Sequence, residues 1–172
     1  MSSGHWCLRV PTAIVDAIDL AHGCQITATQ IVVGRFNAQT QLGAYVATDL
    51  AVSGCPPPSL VNAVALSSTS VRLTFTRNIL ASSVIADGAQ FTFDNGLVAS
   101  AATATGRTVV LTTGAQAAGT TYTVTVADTV TDLQATPVGT PNTATFPGFV
   151  APAVVRINEL IANVTGNCDL IE

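Results

Sequence analysis

The tightest constraint on this chain is a period of two. Tyr122, Val124 and Val126 alternate with Thr121, Thr123 and Thr125, and Val71, Leu73 and Phe75 alternate with Arg72, Thr74 and Thr76. Successive side chains of a strand point to opposite faces, so such a segment buries one face and leaves the other to water. Thr fills the outward face here; its β-branched side chain suits a pleated surface and brings no charge. Segments of the same kind lie at residues 60–66, 91–93, 97–99, 108–112 and 143–149, bounded by Gly, Asn, Asp and Pro. About seven short strands over roughly 90 residues, spaced by turn signals, predict an all-β sandwich. Asn95-Gly96 lies between two apolar runs and predicts a hairpin, because both residues tolerate positive φ. Residues 78–86, with Ile79, Leu80, Val84 and Ile85, break the alternation and predict a helical turn or a loop over one end of the sandwich.

Composition narrows the function classes. Only 9% of the residues are charged, with 6 Lys plus Arg (all Arg), 10 Asp plus Glu and a net charge of −4. An ordinary soluble domain is about 25% charged. Six scattered arginines in an acidic chain leave no basic footprint for nucleic acid. A hydrophobic fraction of 48% excludes a disordered chain. The apolar-looking stretch 26–51 is interrupted by Thr, Gln, Asn and Arg35, so nothing reaches the ~18 apolar residues of a membrane helix. Residues 1–6 lack the basic start and apolar stretch of an export signal. With so few charges to guard strand edges, edge-to-edge self-association is expected.

Three segments separate by composition. Residues 1–55 hold Cys7, Cys24 and Cys55 and both histidines, and resemble nothing we can name. Within them 25–33 and 45–52 read as strands and 37–43 as their connection, as in the tail of a preceding β domain. Pro56, Pro57, Pro58 and Ser59 form a stiff linker, since consecutive prolines hold an extended, donor-less backbone. Residues 60–149 carry the strand alternation. A second break, Phe146-Pro147-Gly148-Phe149-Val150-Ala151-Pro152, precedes 153–172, which contain Cys168. An even number of cysteines in a Thr-rich chain without lysine suggests oxidised pairs outside the cytosol. Four cysteines allow three pairings. Cys24–Cys55 is favoured because the two bracket one β-rich segment.

Residues 60–149 resemble the bacterial Ig-like domain of S-layer and other cell-surface proteins. The resemblance is carried by Val64 to Phe75 as an opening hairpin, by Asn78-Ile79-Leu80 as a short turn, and by Val109 to Thr112 with Gly119 to Val126 as paired late strands. It implies an Ig-like β-sandwich. The family's Asp-x-x-Gly-Asn turn is here Asp132-Leu133-Gln134-Ala135, without Gly-Asn. Val154 to Asn163 and Cys168 to Glu172 resemble the opening of a lamin-tail domain, another sandwich found in exported bacterial proteins, of which only a start is present. The chain then reads as a piece of a longer secreted protein, its export signal upstream.

Candidate chemistry is sparse. His5, Cys7, His22 and Cys24 have metal-ligand types, but no paired C-x-x-C accompanies them; we read them as oxidised cysteines beside surface histidines. Asp16 and Asp19 lie near His22, yet no G-x-S-x-G elbow exists, and Ser53-Gly54 is a turn. The chain has two glutamates, Glu159 and Glu172, both in the C-terminal piece, which leaves no facing pair for glycoside hydrolysis. Asp87, Asp94, Asp128 and Asp132 fall at expected turns. Asp128 and Asp132 are the candidate calcium ligands, because hard cations take several oxygens. Tyr122, three residues after Gly119, has the placing of a tyrosine corner, a structural role. Asn163-Val164-Thr165 fits a glycosylation acceptor by chance. No phosphate-binding glycine loop is present.

These readings predict a non-enzymatic, extracytoplasmic spacer, adhesion or display module of a bacterial surface protein. No catalytic residue and no cofactor beyond the calcium candidate is expected. The expected partners are other β domains of the same protein or cell-surface components. Two alternatives are an accessory module of an exported hydrolase and a fibre-forming subunit that lends a strand such as residues 154–162 to a neighbour.

Overall fold

The first described elements are too short to make a core of their own. The structure is a computed structural model describing residues 8–37, 39–152, 160–161 and 170–171. Strand β1 (Leu8–Arg9) leads through Pro11 into a single helix, α1 (Thr12–Ala17), which buries Ile14. Proline before the first turn suits a helix start, since it supplies the right φ and lacks an N–H the helix cannot use. Strands β2 (Gln25–Ala28), β3 (Val32–Phe36), β4 (Gln39–Gly43) and β5 (Leu50–Ser53) follow. They form two small sheets, β1-β4-β3 and β2-β5, with β1 parallel to β4. This differs from the sequence expectation in four ways. The expected 25–33 strand is cut by a bend at residues 29 and 30, the expected connection 37–43 is mostly β4, the expected 45–52 strand opens with a 3-10 turn at Ala47–Asp49 and is strand from Leu50, and α1 was not foreseen. Asn37, with φ 53, turns β3 back onto β4. That makes a hairpin where polar composition reads as a loop.

Pairing of β2 with β5 sets Gln25 opposite Ser53. Cys24 and Cys55 flank that pair, and they form a disulfide across a sequence separation of 31. The favoured pairing is thus the one present. Cys7 and Cys168 lie outside the described residues.

Seven strands form the sandwich: β6 (Leu60–Ser67), β7 (Ser70–Phe75), β8 (Phe91–Phe93), β9 (Ala99–Thr105), β10 (Thr108–Thr113), β11 (Thr121–Val126) and β12 (Thr143–Pro147). One sheet has the order β6-β7-β10-β9 and the other β12-β11-β8, with every pairing antiparallel. The inward residues of both sheets meet in one cluster. Val71, Leu73, Val109, Leu111, Val124 and Val126 are fully buried, while Arg72 and Thr121 face water. Phe146 stacks on Tyr122 at 5.7 Å and meets Phe93 edge-on at 6.0 Å. The Tyr122 hydroxyl accepts the Ala117 N–H at 2.9 Å, five residues upstream. It ties the turn before β11 to the strand. Beyond the sandwich, β13 (Leu160–Ile161) pairs antiparallel with β14 (Leu170–Ile171).

The hairpin expected at Asn95-Gly96 is a correction. Both residues do take positive φ, 53° and 71°. Yet β8 pairs with β11 and β9 with β10, and between the flanks there is one isolated bridge, Thr92 to Val98. The turn carries the chain from one sheet to the other. Asp94 Oδ1 accepts the Thr123 N–H at 2.7 Å and Asn95 Nδ2 donates to the Thr121 carbonyl at 3.0 Å. These side chains hold the turn to β11 while Leu97 drops into the core. Residues 78–86 form the expected end cover: Ile79 is buried and a 3-10 turn spans Ala81–Ser83.

The alternation makes Leu73→Ala costly, about 2–5 kcal/mol for the lost contacts and cavity. The neighbouring outward change Arg72→Ala is expected to cost less than about 0.5 kcal/mol; urea unfolding of both variants checks this. Reduction of Cys24–Cys55 is expected to lower stability by about 3–4 kcal/mol, from the entropy regained by a loop of this size. Thermal melts with and without reductant read it directly.

Candidate functional site at the seam

The described residues with the most demanding chemistry lie where the N-terminal segment meets the sandwich. Strand β7 ends at Phe75, and Thr76, Arg77 and Asn78 continue beneath α1 and the turn after it. Arg77 is 2% exposed, a position arginine occupies only when its charge and its donors are matched. Its Nη1 donates to Asp132 Oδ2 at 2.6 Å and to the Pro56 carbonyl at 3.2 Å. Its Nη2 donates to Gln134 Oε1 at 2.6 Å and to the Asp19 carbonyl at 3.1 Å, and stands 2.9 Å from Asp19 Oδ2. The Nε–H is buried and has no hydrogen-bond partner among the described residues; Asp19 Oδ2 has the ion pair but no aligned hydrogen bond there.

The two carboxylates are held as firmly. Asp19 is fully buried, with φ 50, and its Oδ1 accepts the Asn78 N–H at 3.1 Å. Asp132 is fully buried, and its Oδ1 accepts the N–H groups of Gln134 and Thr136 at 2.9 and 2.8 Å. Gln134 Nε2 donates to the Ile18 carbonyl and Asn78 Nδ2 to the Asp16 carbonyl, both at 3.2 Å. Two side chains of the sandwich therefore bond carbonyls at and just after the end of α1, where a helix leaves acceptors without intrahelical donors. The planar guanidinium fork suits this arrangement, because it reaches several acceptors at once where an ammonium would act as a point.

The residues singled out in the sequence are distributed differently. Asp132, expected with Asp128 at a calcium site, gives its oxygens to Arg77 and two backbone N–H groups; Asp128 is exposed. Asp19, expected at most as an acid beside His22, is the ion-pair partner of Arg77. Cys24 has no thiolate to offer a metal, since it is in the disulfide, and His5 and Cys7 lie outside the described residues. Among the described residues no group of three or more His, Cys, Asp or Glu could hold a metal ion. Asp87 and Asp94 accept backbone N–H groups at turns. Glu159, Asn163 and Glu172 lie outside the described residues. Arg77 itself was missed, and the one hint was its scarcity: with 6 cations in 172 residues, each needs an account.

Arg77→Ala would leave two buried carboxylates facing each other without a counter-charge. A cost of about 3–5 kcal/mol is expected from breaking such a buried pair. Arg77→Lys should recover only part of it, because four acceptors lose the fork. Urea unfolding, with limited proteolysis of residues 8–55, checks both.

The family model for the Bacterial Ig-like domain matches residues 46–147. Among solved structures, the chain is similar to the N-terminal part of the bacterial S-layer protein SbsC at 24% identity and TM-score 0.50 over 59% of this chain and 26% of that one. It is also similar to the S-layer protein rSbsC(31-844) at 24% identity and TM-score 0.49, over 59% of this chain and 15% of that one. The chain thus spans about a quarter or less of those proteins' lengths, and the first likeness speaks for the fold alone. No curated protein matches the chain. The family match stops short of the stretch that resembles a lamin-tail start, most of which lies outside the described residues. With the match covering more than half of its length, and with seven antiparallel strands closing over one core, the chain belongs to the bacterial Ig-like domain family.

Proposed function

We propose that the chain is a non-catalytic structural module, a spacer or display unit, of a bacterial cell-surface or secreted multidomain protein. The observation that carries this reading is the seam. A spacer must transmit orientation from one domain to the next, and the joint ahead of the sandwich has been stripped of free rotation. Its backbone contains Pro56, Pro57 and Pro58. A disulfide closes just before them. Arg77 grips the Pro56 carbonyl and the Asp19 backbone together. In this reading residues 60–149 are the sandwich unit, 56–59 the joint, 1–55 the piece before it and 150–172 the lead into a further domain. The S-layer neighbour has the same kind of domain within a longer chain. The retained Cys24–Cys55 bridge suits an oxidising setting outside the cytosol. Among the described residues no helix is long and apolar enough to cross a membrane, so attachment to a surface would come through other domains or cell-surface components.

The test is where the parent protein resides and in what redox state. Antibody against this chain should label intact cells or capture the parent from culture medium. Alkylation without reductant should leave Cys24 and Cys55 unmodified. A signal confined to the cytosolic fraction, with both thiols alkylated, sinks the reading.

A further inference from the structure

Beside the seam lies a cleft of about 490 Å³ lined by His22, Pro57, Ser59, Thr76, Arg77 and Arg107, among others. Its walls come from both sides of the joint: His22 from the N-terminal segment, Ser59 from the joint itself, Thr76 and Arg107 from the sandwich. Among the described residues no carboxylate lines it, although the chain has a net charge of −4. Arg107 sits in the turn between β9 and β10 and is exposed; among the described residues no hydrogen bond or ion pair engages its guanidinium. The Thr76 hydroxyl oxygen accepts the Ser59 N–H at 2.9 Å and the Ser59 hydroxyl at 3.4 Å, which leaves the Thr76 O–H to donate. The Arg77 side chain also lines the cleft, while its Nε–H is buried beneath the surface and has no partner among the described residues. The cleft is thus concave, with an exposed, unengaged guanidinium, the Thr76 hydroxyl and the His22 imidazole on its walls and no carboxylate among the described residues that line it.

We propose that this cleft is an oxyanion-binding site that takes a single carboxylate or sulfate group. The Arg107 guanidinium receives two of its oxygens side by side, the geometry in which arginine binds such groups best. The Thr76 hydroxyl and the His22 imidazole donate to the remainder. Asp19 and Asp132 neutralise Arg77 from behind, so the attracting charge is that of Arg107. Because His22 and Arg107 belong to opposite sides of the joint, a bound anion ties the N-terminal segment to the sandwich. The proposal stands on the cleft alone, and its failure would leave the structural role of the chain untouched.

The experiment is an amide NMR titration of the intact, oxidised chain with sodium sulfate and, separately, sodium acetate, with sodium chloride holding ionic strength constant. Saturating shifts are expected at the N–H groups of Ser59, Arg77 and Arg107. Affinity should fall at least tenfold in Arg107→Gln and about threefold or more in His22→Ala. Arg107→Gln lies on an exposed turn and should melt at the same temperature as the parent in chloride alone. Saturation by acetate as well as sulfate supports a carboxylate-bearing ligand; saturation by sulfate alone supports a free inorganic oxyanion. Shifts that rise linearly with salt, or that persist unchanged in Arg107→Gln, overturn the site.

Discussion

A strand can bury only one of its two faces, and a sandwich exists because two sheets bury theirs against each other. Everything else in this molecule is arranged around that constraint. Val71, Leu73 and Phe75 of one sheet face Tyr122, Val124 and Val126 of the other side of the core. The outward positions between them are held by Thr and a lone Arg72. Threonine keeps the backbone extended and offers water a hydroxyl, so the surface is polar almost without charge. The low charge fraction is a consequence of how the outer faces are built.

Scarce charge also explains why the few buried ions matter. Arg77, Asp19 and Asp132 lie out of water between the N-terminal segment and the sandwich. Each would be costly alone; together with Gln134, Asn78 and several backbone groups they satisfy almost every polar atom at the joint. Buried ion pairs are often neutral for stability when compared with apolar packing. Their effect here is on geometry: an apolar joint could slide, whereas a guanidinium with four directional acceptors has one arrangement. The disulfide and the prolines act on the same stretch from the covalent side. The small sheets of the N-terminal segment bury little of their own, so their placement depends on this seam.

Legibility followed interaction range. The strands of 60–149 were readable because an alternating pattern is a property of neighbouring residues. The Asn95-Gly96 turn was readable as a turn for the same reason, since positive φ is local. Its assignment to a hairpin was wrong because nothing in Phe91-Thr92-Phe93 or Leu97-Val98-Ala99 says which sheet either strand joins. That is settled by Asp94 and Asn95 binding β11 and by Leu97 entering the core. The connection expected at 37–43 failed in the opposite sense, because polar residues such as Gln39, Thr40 and Gln41 serve an exposed strand as well as a loop.

By itself, then, the sequence determined the sandwich: which residues face in, why Thr faces out, and that Cys24 and Cys55 lie at matching ends of one β-rich stretch. Tertiary structure alone decided the seam. Arg77 finds its carboxylates 58 and 55 residues away along the chain, and at such separations a contact leaves no periodicity and no spacing to read. It arises only when the two sheets have closed and brought the end of β7 beneath the turn after α1. The same holds for the Arg107 cleft, whose walls come from segments that meet only in the folded molecule.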